Sequence, residues 1–277
     1  MSRNAEVTMM NDALYWSMLK YEGKKVIGYS LSLMLYEWLI TWVYPILIES
    51  PVIEDLPNSF PAPVKRAFGV SAEETDISYE SYISAQLLGR FWTLLISVYG
   101  ISASNTLAAH MLEQGFMAYP LSSPVSRSEI INTQIGVLVT ELMLLTGATV
   151  GGIYSAAAFF KVTIDRWQFF RMGILGFCLS TVVSGYSMLF GVSLNSEEVS
   201  VPLVSALTVI FYGLDVMSSL SERFSRLQNV TPFGLFRPQE VLRGKLLPTK
   251  ECLILSCISG ICLLLSRFVF RRRDLAI

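Results

Sequence analysis

Long apolar runs separated by short polar stretches set the rhythm of this chain. Six of them, residues 26–48, 82–108, 131–160, 172–194, 201–220 and 252–270, reach the ~20 residues that a helix needs to cross a hydrocarbon core of roughly 30 Å. The pattern predicts an all-α membrane protein of six transmembrane helices, folded as a single domain over residues 1–277. No internal repeat relates one half of the chain to the other, as the inverted repeats of many secondary transporters would.

Between the runs, three polar stretches carry structure of their own. In residues 8–22, Met10, Leu14, Met18 and Tyr21 recur at helical spacing while Asp12, Ser17 and Lys20 fall elsewhere, which predicts an amphipathic helix at the membrane interface. In loop 49–81, Pro51, Pro57, Pro61 and Pro63 forbid a long helix, but Pro61 or Pro63 can open a short one through Val64-Lys65-Arg66-Ala67-Phe68 that Gly69 stops. In loop 109–130, Leu112, Phe116 and Tyr119 form a short apolar stripe beside Glu113 and Gln114, and Pro120 ends it. Ser126 and Glu129 then match a capping box at the start of span three. A short helix flat on the membrane followed by a defined return into it fits a docking surface for a cytosolic partner, and equally an amphipathic hairpin.

Composition agrees with a chain dissolved in lipid. Of 277 residues, 52% are hydrophobic and 16% charged, against ~25% charged in a soluble domain, and mean hydropathy is +0.50. A net charge of −1 without a clustered basic stretch excludes a nucleic-acid footprint. Cys178, Cys252, Cys257 and Cys262 lie inside apolar runs without a C-x-x-C pair, as small packing residues do. Residues 1–21 lack the apolar core and small-residue cleavage site of a signal peptide, so span one is expected to direct insertion.

Charge bears on sidedness. Arg271-Arg272-Arg273 after the last span and Lys24-Lys25 before the first place both termini in the cytoplasm, and loop 49–81, with seven acids against Lys65 and Arg66, outside. Loop 221–250 runs against this with Arg223, Arg226, Arg237, Arg243, Lys245 and Lys250. Nine Lys and Arg fall on the inner face and eleven on the outer, with Arg90 inside a span. The orientation rests on the dominance of the first span and on the resemblance that follows.

Residues 107–134, LAAHMLEQGFMAYPLSSPVSRSEIINTQ, resemble the intracellular loop of ATP-binding-cassette type-2 (ABC-2) permeases. Glu113, Gly115, Leu121, Pro124, Val125, Ser126 and Arg127 fall on its pattern. Leu56-Pro57 followed by Ala67-Phe68-Gly69, the segment Thr231-Pro232-Phe233-Gly234-Leu235-Phe236, and Phe270-Arg271-Arg272-Arg273-Asp274-Leu275 look familiar from the same group, in the same order. Phe116 stands where threonine is usual, Met111 where one acid is usual, and Gln134 where lysine is commoner.

The resemblance implies an exporter at the cell membrane, multi-pass with cytoplasmic termini, built from this permease, a second copy or paralogue of it, and a cytosolic ATPase that binds the ATP. It implies a short coupling helix between spans two and three, with Leu112, Glu113, Gly115, Phe116, Tyr119 and Arg127 at the ATPase contact. The chain itself carries no G-x-x-x-x-G-K-[ST] loop, and Leu242-Arg243-Gly244-Lys245 lacks both the glycine spacing and the hydroxyl. No enzymatic activity and no cofactor are expected of it.

Ionisable groups inside lipid are costly and mark pairs, pathways or snorkelling chains. Glu37 in span one, Arg90 in span two and Glu141 in span three can meet near mid-membrane as a charge cluster that staples the spans, lines a pathway, or consists of separate groups. Gly147 and Gly151 form a G-x-x-x-G that permits close helix approach. His110, the single histidine, has no ligand partner in the pattern. An ion-coupled secondary transporter using Glu37 and Glu141, and a non-transporting scaffold, are the competing readings. A membrane-embedded metalloprotease or serine protease would need ligand clusters or a nucleophile with a base, which the sequence does not offer.

Overall fold

The computed structural model describes residues 10–48, 78–88, 91–110, 126–194, 196–220 and 231–272. The predicted short helix at 64–68 and the coupling turn at 112–121 lie outside the described residues.

Helix α1 (Asp12–Ile48) opens where the Asn11 side chain accepts the Leu14 amide, an N-cap that satisfies one of the free donors of a helix start. Span two is composite: α2 (Tyr79–Ile83) passes into a π-helical turn, Ser84–Leu88, and α3 (Phe91–Asn105) ends in a second one, Thr106–His110. Helix α4 (Arg127–Phe159) begins at the predicted capping box. The Ser126 hydroxyl accepts the Glu129 amide at 3.2 Å, and the Glu129 carboxylate accepts the Ser126 amide at 2.6 Å. Helix α5 (Arg166–Leu194) starts six residues before the predicted span, because the Asp165 carboxylate caps the Trp167 amide. Helix α6 (Glu197–Leu220), a 3-10 turn (Phe233–Leu235), the short α7 (Pro238–Leu242) and α8 (Thr249–Arg272) complete the described chain. Six helical stretches are long and apolar enough to cross a membrane, and no strand occurs among the described residues. The chain is a multi-pass helical membrane protein.

Helix α5 is the centre of the bundle, contacted by α8, α3, α4, α6 and α7, while α1 lies along α4. Small residues let neighbours close on α5. Trp92 of α3 sits over Gly176, where a Cβ would meet the indole at 2.6 Å, and its Nε1 donates to Thr149 Oγ1 of α4 at 2.9 Å. One buried indole thus joins three helices. Large apolar side chains point outward from the bundle instead: Leu31, Leu35, Leu39 and Trp42 on α1, Val209 and Ile210 on α6, and Leu253, Ile261 and Leu264 on α8. A hydrocarbon solvent imposes no penalty on such a surface.

Two sequence expectations change here. The described part of the 8–22 stripe does not form an element of its own; from Asp12 it continues unbroken into span one as a helix of 37 residues. Its buried face runs Met18, Glu22, Val26, Leu33, Glu37 and Ile40, and Tyr21 is 60% exposed. Gly147 and Gly151 both face open space, and Gly152 is the glycine pressed against a neighbour. Helix phase, not the four-residue spacing, decides which glycine meets α1.

The segment Thr231–Phe236 packs back onto the bundle. Thr231 Oγ1 accepts the Gly234 amide, Phe236 stacks on Trp92 at 5.5 Å between centroids, and Phe233 meets Tyr212 edge-on at 5.8 Å. Arg243 Nη2 donates to Ser81 Oγ at 3.1 Å, closing this lid over the start of span two.

Candidate functional site

Helices α1 and α4 run parallel, and polar contacts fix their register along the whole length. The Asn11 amide donates to Thr133 Oγ1, the hydroxyls of Tyr15 and Thr140 meet at 2.8 Å, and Trp38 Nε1 donates to Ser155 Oγ at 3.0 Å. Into this seam the two helices turn three carboxyl groups, Glu22 and Glu37 from α1 and Glu141 from α4, each wholly buried. Charged side chains are almost never buried without a partner, so their surroundings decide what the seam can do.

Glu22 and Glu141 share one polar cluster. Lys25 lies 3.1 Å from the Glu22 carboxylate and donates to Thr106 Oγ1 at the same distance. Tyr99 donates to Glu141 Oε2 at 3.0 Å while its ring meets Tyr29 edge-on at 5.1 Å. Glu22 and Lys25 both act electrostatically on Glu141. Three helices, α1, α3 and α4, are therefore cross-linked through two acids, one ammonium and one phenol.

Beside this cluster, the end of span two is held by its neighbours. The last carbonyls of a helix lack partners within it, and the Gln134 side-chain amide donates to the carbonyl of Leu107, inside the Thr106–His110 π-turn. Asn105 Nδ2 donates to Ser187 Oγ of α5, and Ser200 of α6 donates to Asn105 Oδ1. The end of span two, Asn105 with the π-turn that follows it, a geometry that often accompanies function, is thus tied to α1, α4, α5 and α6 where the chain leaves for residues 111–125. Gln134, which departs from the resembled pattern, is a tie between spans two and three.

Glu37 is placed differently. Its carboxyl lies on Gly152, where an added Cβ would land on Oε2, and neither oxygen has a hydrogen-bond partner among the described residues. Thr41 donates its hydroxyl to the Glu37 carbonyl and accepts from the Tyr79 phenol, so neither hydroxyl proton reaches the carboxyl.

Of the three groups expected as one charge cluster, the structure places Glu37 and Glu141 on the same seam but not at one level. Glu37 sits at Gly152, eleven residues beyond Glu141 on α4, or ~16 Å along the axis. Arg90 lies outside the described residues. So do Leu112, Glu113, Gly115, Phe116 and Tyr119; Arg127 opens α4 directly after its cap.

Sequence reasoning missed Glu22, Lys25, Tyr99 and Thr106. The signal for Glu22 was present: with Met18 and Val26 it repeats every four residues on the buried face, at a position where an acid is out of place. The cluster forms no metal centre, since no group of three His, Cys, Asp or Glu among the described residues could hold an ion. No protein-family model matches the chain, and no curated protein matches it.

Proposed function

We propose that this chain is the permease subunit of an ATP-binding-cassette exporter, driven by ATP that a separate cytosolic subunit hydrolyses and paired in the membrane with a second copy or paralogue. The observation that carries the reading is the ordered resemblance of residues 107–134, 231–236 and 270–275 to ABC-2 permeases. The capping box at Ser126 and Glu129 agrees with it, because it sets a sharp return into span three just after the resembled Pro124-Val125-Ser126-Arg127. A six-span helical bundle is also what the reading requires.

In this account the termini and residues 109–130 face the cytosol, and 49–81 and 221–250 face outward. The ATPase grips the turn around Phe116. Its motion enters the bundle at the end of span two and the start of span three, the two segments joined by Gln134 and Leu107. Lys25 and Thr106 pass it to α1. The polar ties at this level suit such a load, since satisfied hydrogen-bond networks rigidify the elements they join and carry coupling between them.

The test is co-purification of the full chain with a cytosolic ATPase and stimulation of that ATPase in lipid. A Phe116→Asp substitution places a charge at an apolar contact, which at the centre of an interface costs about 2 kcal/mol or more. A ~30-fold loss of stimulated transport with the bundle intact is the expected outcome. Complex formation and transport equal to the parent protein would contradict the reading, and transport that persists without ATPase on a pH gradient would favour the ion-coupled alternative.

A further inference from the structure

Glu37 is a carboxyl group removed from solvent, with no donor among the described residues put in its place. It is fully buried between α1 and α4, both oxygens are without a hydrogen-bond donor among the described residues, and Gly152 supplies the space that one of them fills. Helix α4 gives it no titratable neighbour at that level: the Tyr154 phenol is turned to the Arg166 carbonyl, and Glu141 lies three turns away. Span two contributes the phenol of Tyr79, which is engaged by the Thr41 hydroxyl at 2.8 Å and makes no hydrogen bond to the Glu37 carboxyl. A carboxylate in such a place is left uncompensated, and something positive must accompany it. A metal cation needs a shell of several oxygens, and no group of three His, Cys, Asp or Glu among the described residues could hold one. A proton needs only the carboxyl itself.

We propose that Glu37 is a proton-binding site, in which one exchangeable proton resides on its carboxyl in the α1/α4 seam and is taken up or released when α1 moves off Gly152. The site stands apart from the ATPase reading and would serve an ATP-driven or an ion-driven permease alike. Separation of α1 from Gly152 lets water reach the carboxyl, so the proton leaves in the open state and returns on closure.

The full chain in lipid vesicles gives the test. Infrared spectra of parent protein and Glu37→Gln are compared at neutral pH, with deuterium exchange to mark protonated carboxyls. The expected difference is loss of a protonated-carboxyl carbonyl band that shifts in deuterated buffer. Loss of an ionised-carboxylate band instead would overturn the proposal. The Arg90→Gln protein separates the alternative of an ion pair: a protonated band at Glu37 that appears only in that variant overturns the proposal as well. Should Glu37→Gln fail to assemble, the same bands are read in parent protein carrying ¹³C-labelled glutamate, where dicyclohexylcarbodiimide supplies the assignment. The carboxyl O–H adds across a carbodiimide C=N bond, oxygen to carbon and hydrogen to nitrogen, so only a protonated acid reacts. Adduct at Glu37, at least tenfold above that at exposed Glu198 and Glu240, with loss of a labelled protonated band, supports the site. A labelled spectrum without any protonated band overturns it.

Discussion

Two buried acids on one seam have been given opposite surroundings. Glu141 is met by the Tyr99 phenol and lies in the field of Lys25, and the helices that supply these partners are cross-linked as a result. Glu37 is met by a glycine, and its carboxyl has no hydrogen-bond partner among the described residues. The difference shows that burial alone does not define the role of an intramembrane acid. Where donors converge, the acid is a joint between helices; where space is left and donors are withheld, it is free to bind.

Removing the ammonium from the Glu141 end is expected to have the largest effect. Breaking a buried pair costs about 3–5 kcal/mol, and because the Lys25 side chain keeps 43% of its exposure the Lys25→Met cost is expected at the lower end, about 2–3 kcal/mol once solvent screening is allowed for. Thermal unfolding in lipid or detergent reads it, and no loss would mean that Glu22 finds another partner. At the other end, Gly152→Ala drives a methyl into the Glu37 carboxyl and is expected to cost about 1–3 kcal/mol, the usual penalty of overpacking. Adding Glu37→Ala should restore most of that loss, a coupling that a double-mutant cycle detects; additive losses would place the clash elsewhere.

Smaller effects sharpen the contrast. Tyr99→Phe withdraws one hydrogen bond to a buried acid and should cost about 1–2 kcal/mol, whereas Glu37→Gln withdraws none and exchanges one buried polar head for another of the same shape, so it should cost less. Equal losses from the two substitutions would erase the distinction between joint and free acid.

Much of the architecture was readable beforehand, for reasons that also explain what was not. Spans are set by length and hydropathy, and the capping box by Ser126 and Glu129 at their fixed spacing, so both are local properties of the sequence. Residues 8–22 read as a separate element because Met10, Leu14, Met18 and Tyr21 keep helical spacing while Asp12, Ser17 and Lys20 fall elsewhere; the continuity of α1 follows from side-by-side contact with α4, which no local pattern states. The choice of Gly152 over Gly147 and Gly151 depends on helix phase against a neighbour. Both π-turns, and the stacking of Phe236 on Trp92 across 144 positions of sequence, are tertiary in origin. The acids Glu37 and Glu141 stood out as rarities in lipid, but their separate levels become visible only once the α1/α4 register is known.

Sidedness of the turn around Phe116 is the most direct test of the account. Phe116→Cys, in a chain whose four native cysteines are replaced by serine or alanine, is treated with a membrane-impermeant thiol reagent in intact cells and in inside-out vesicles. The account expects labelling in the vesicles alone, suppressed when the ATPase is bound. Labelling in intact cells would put the turn outside and contradict the proposed coupling to a cytosolic ATPase.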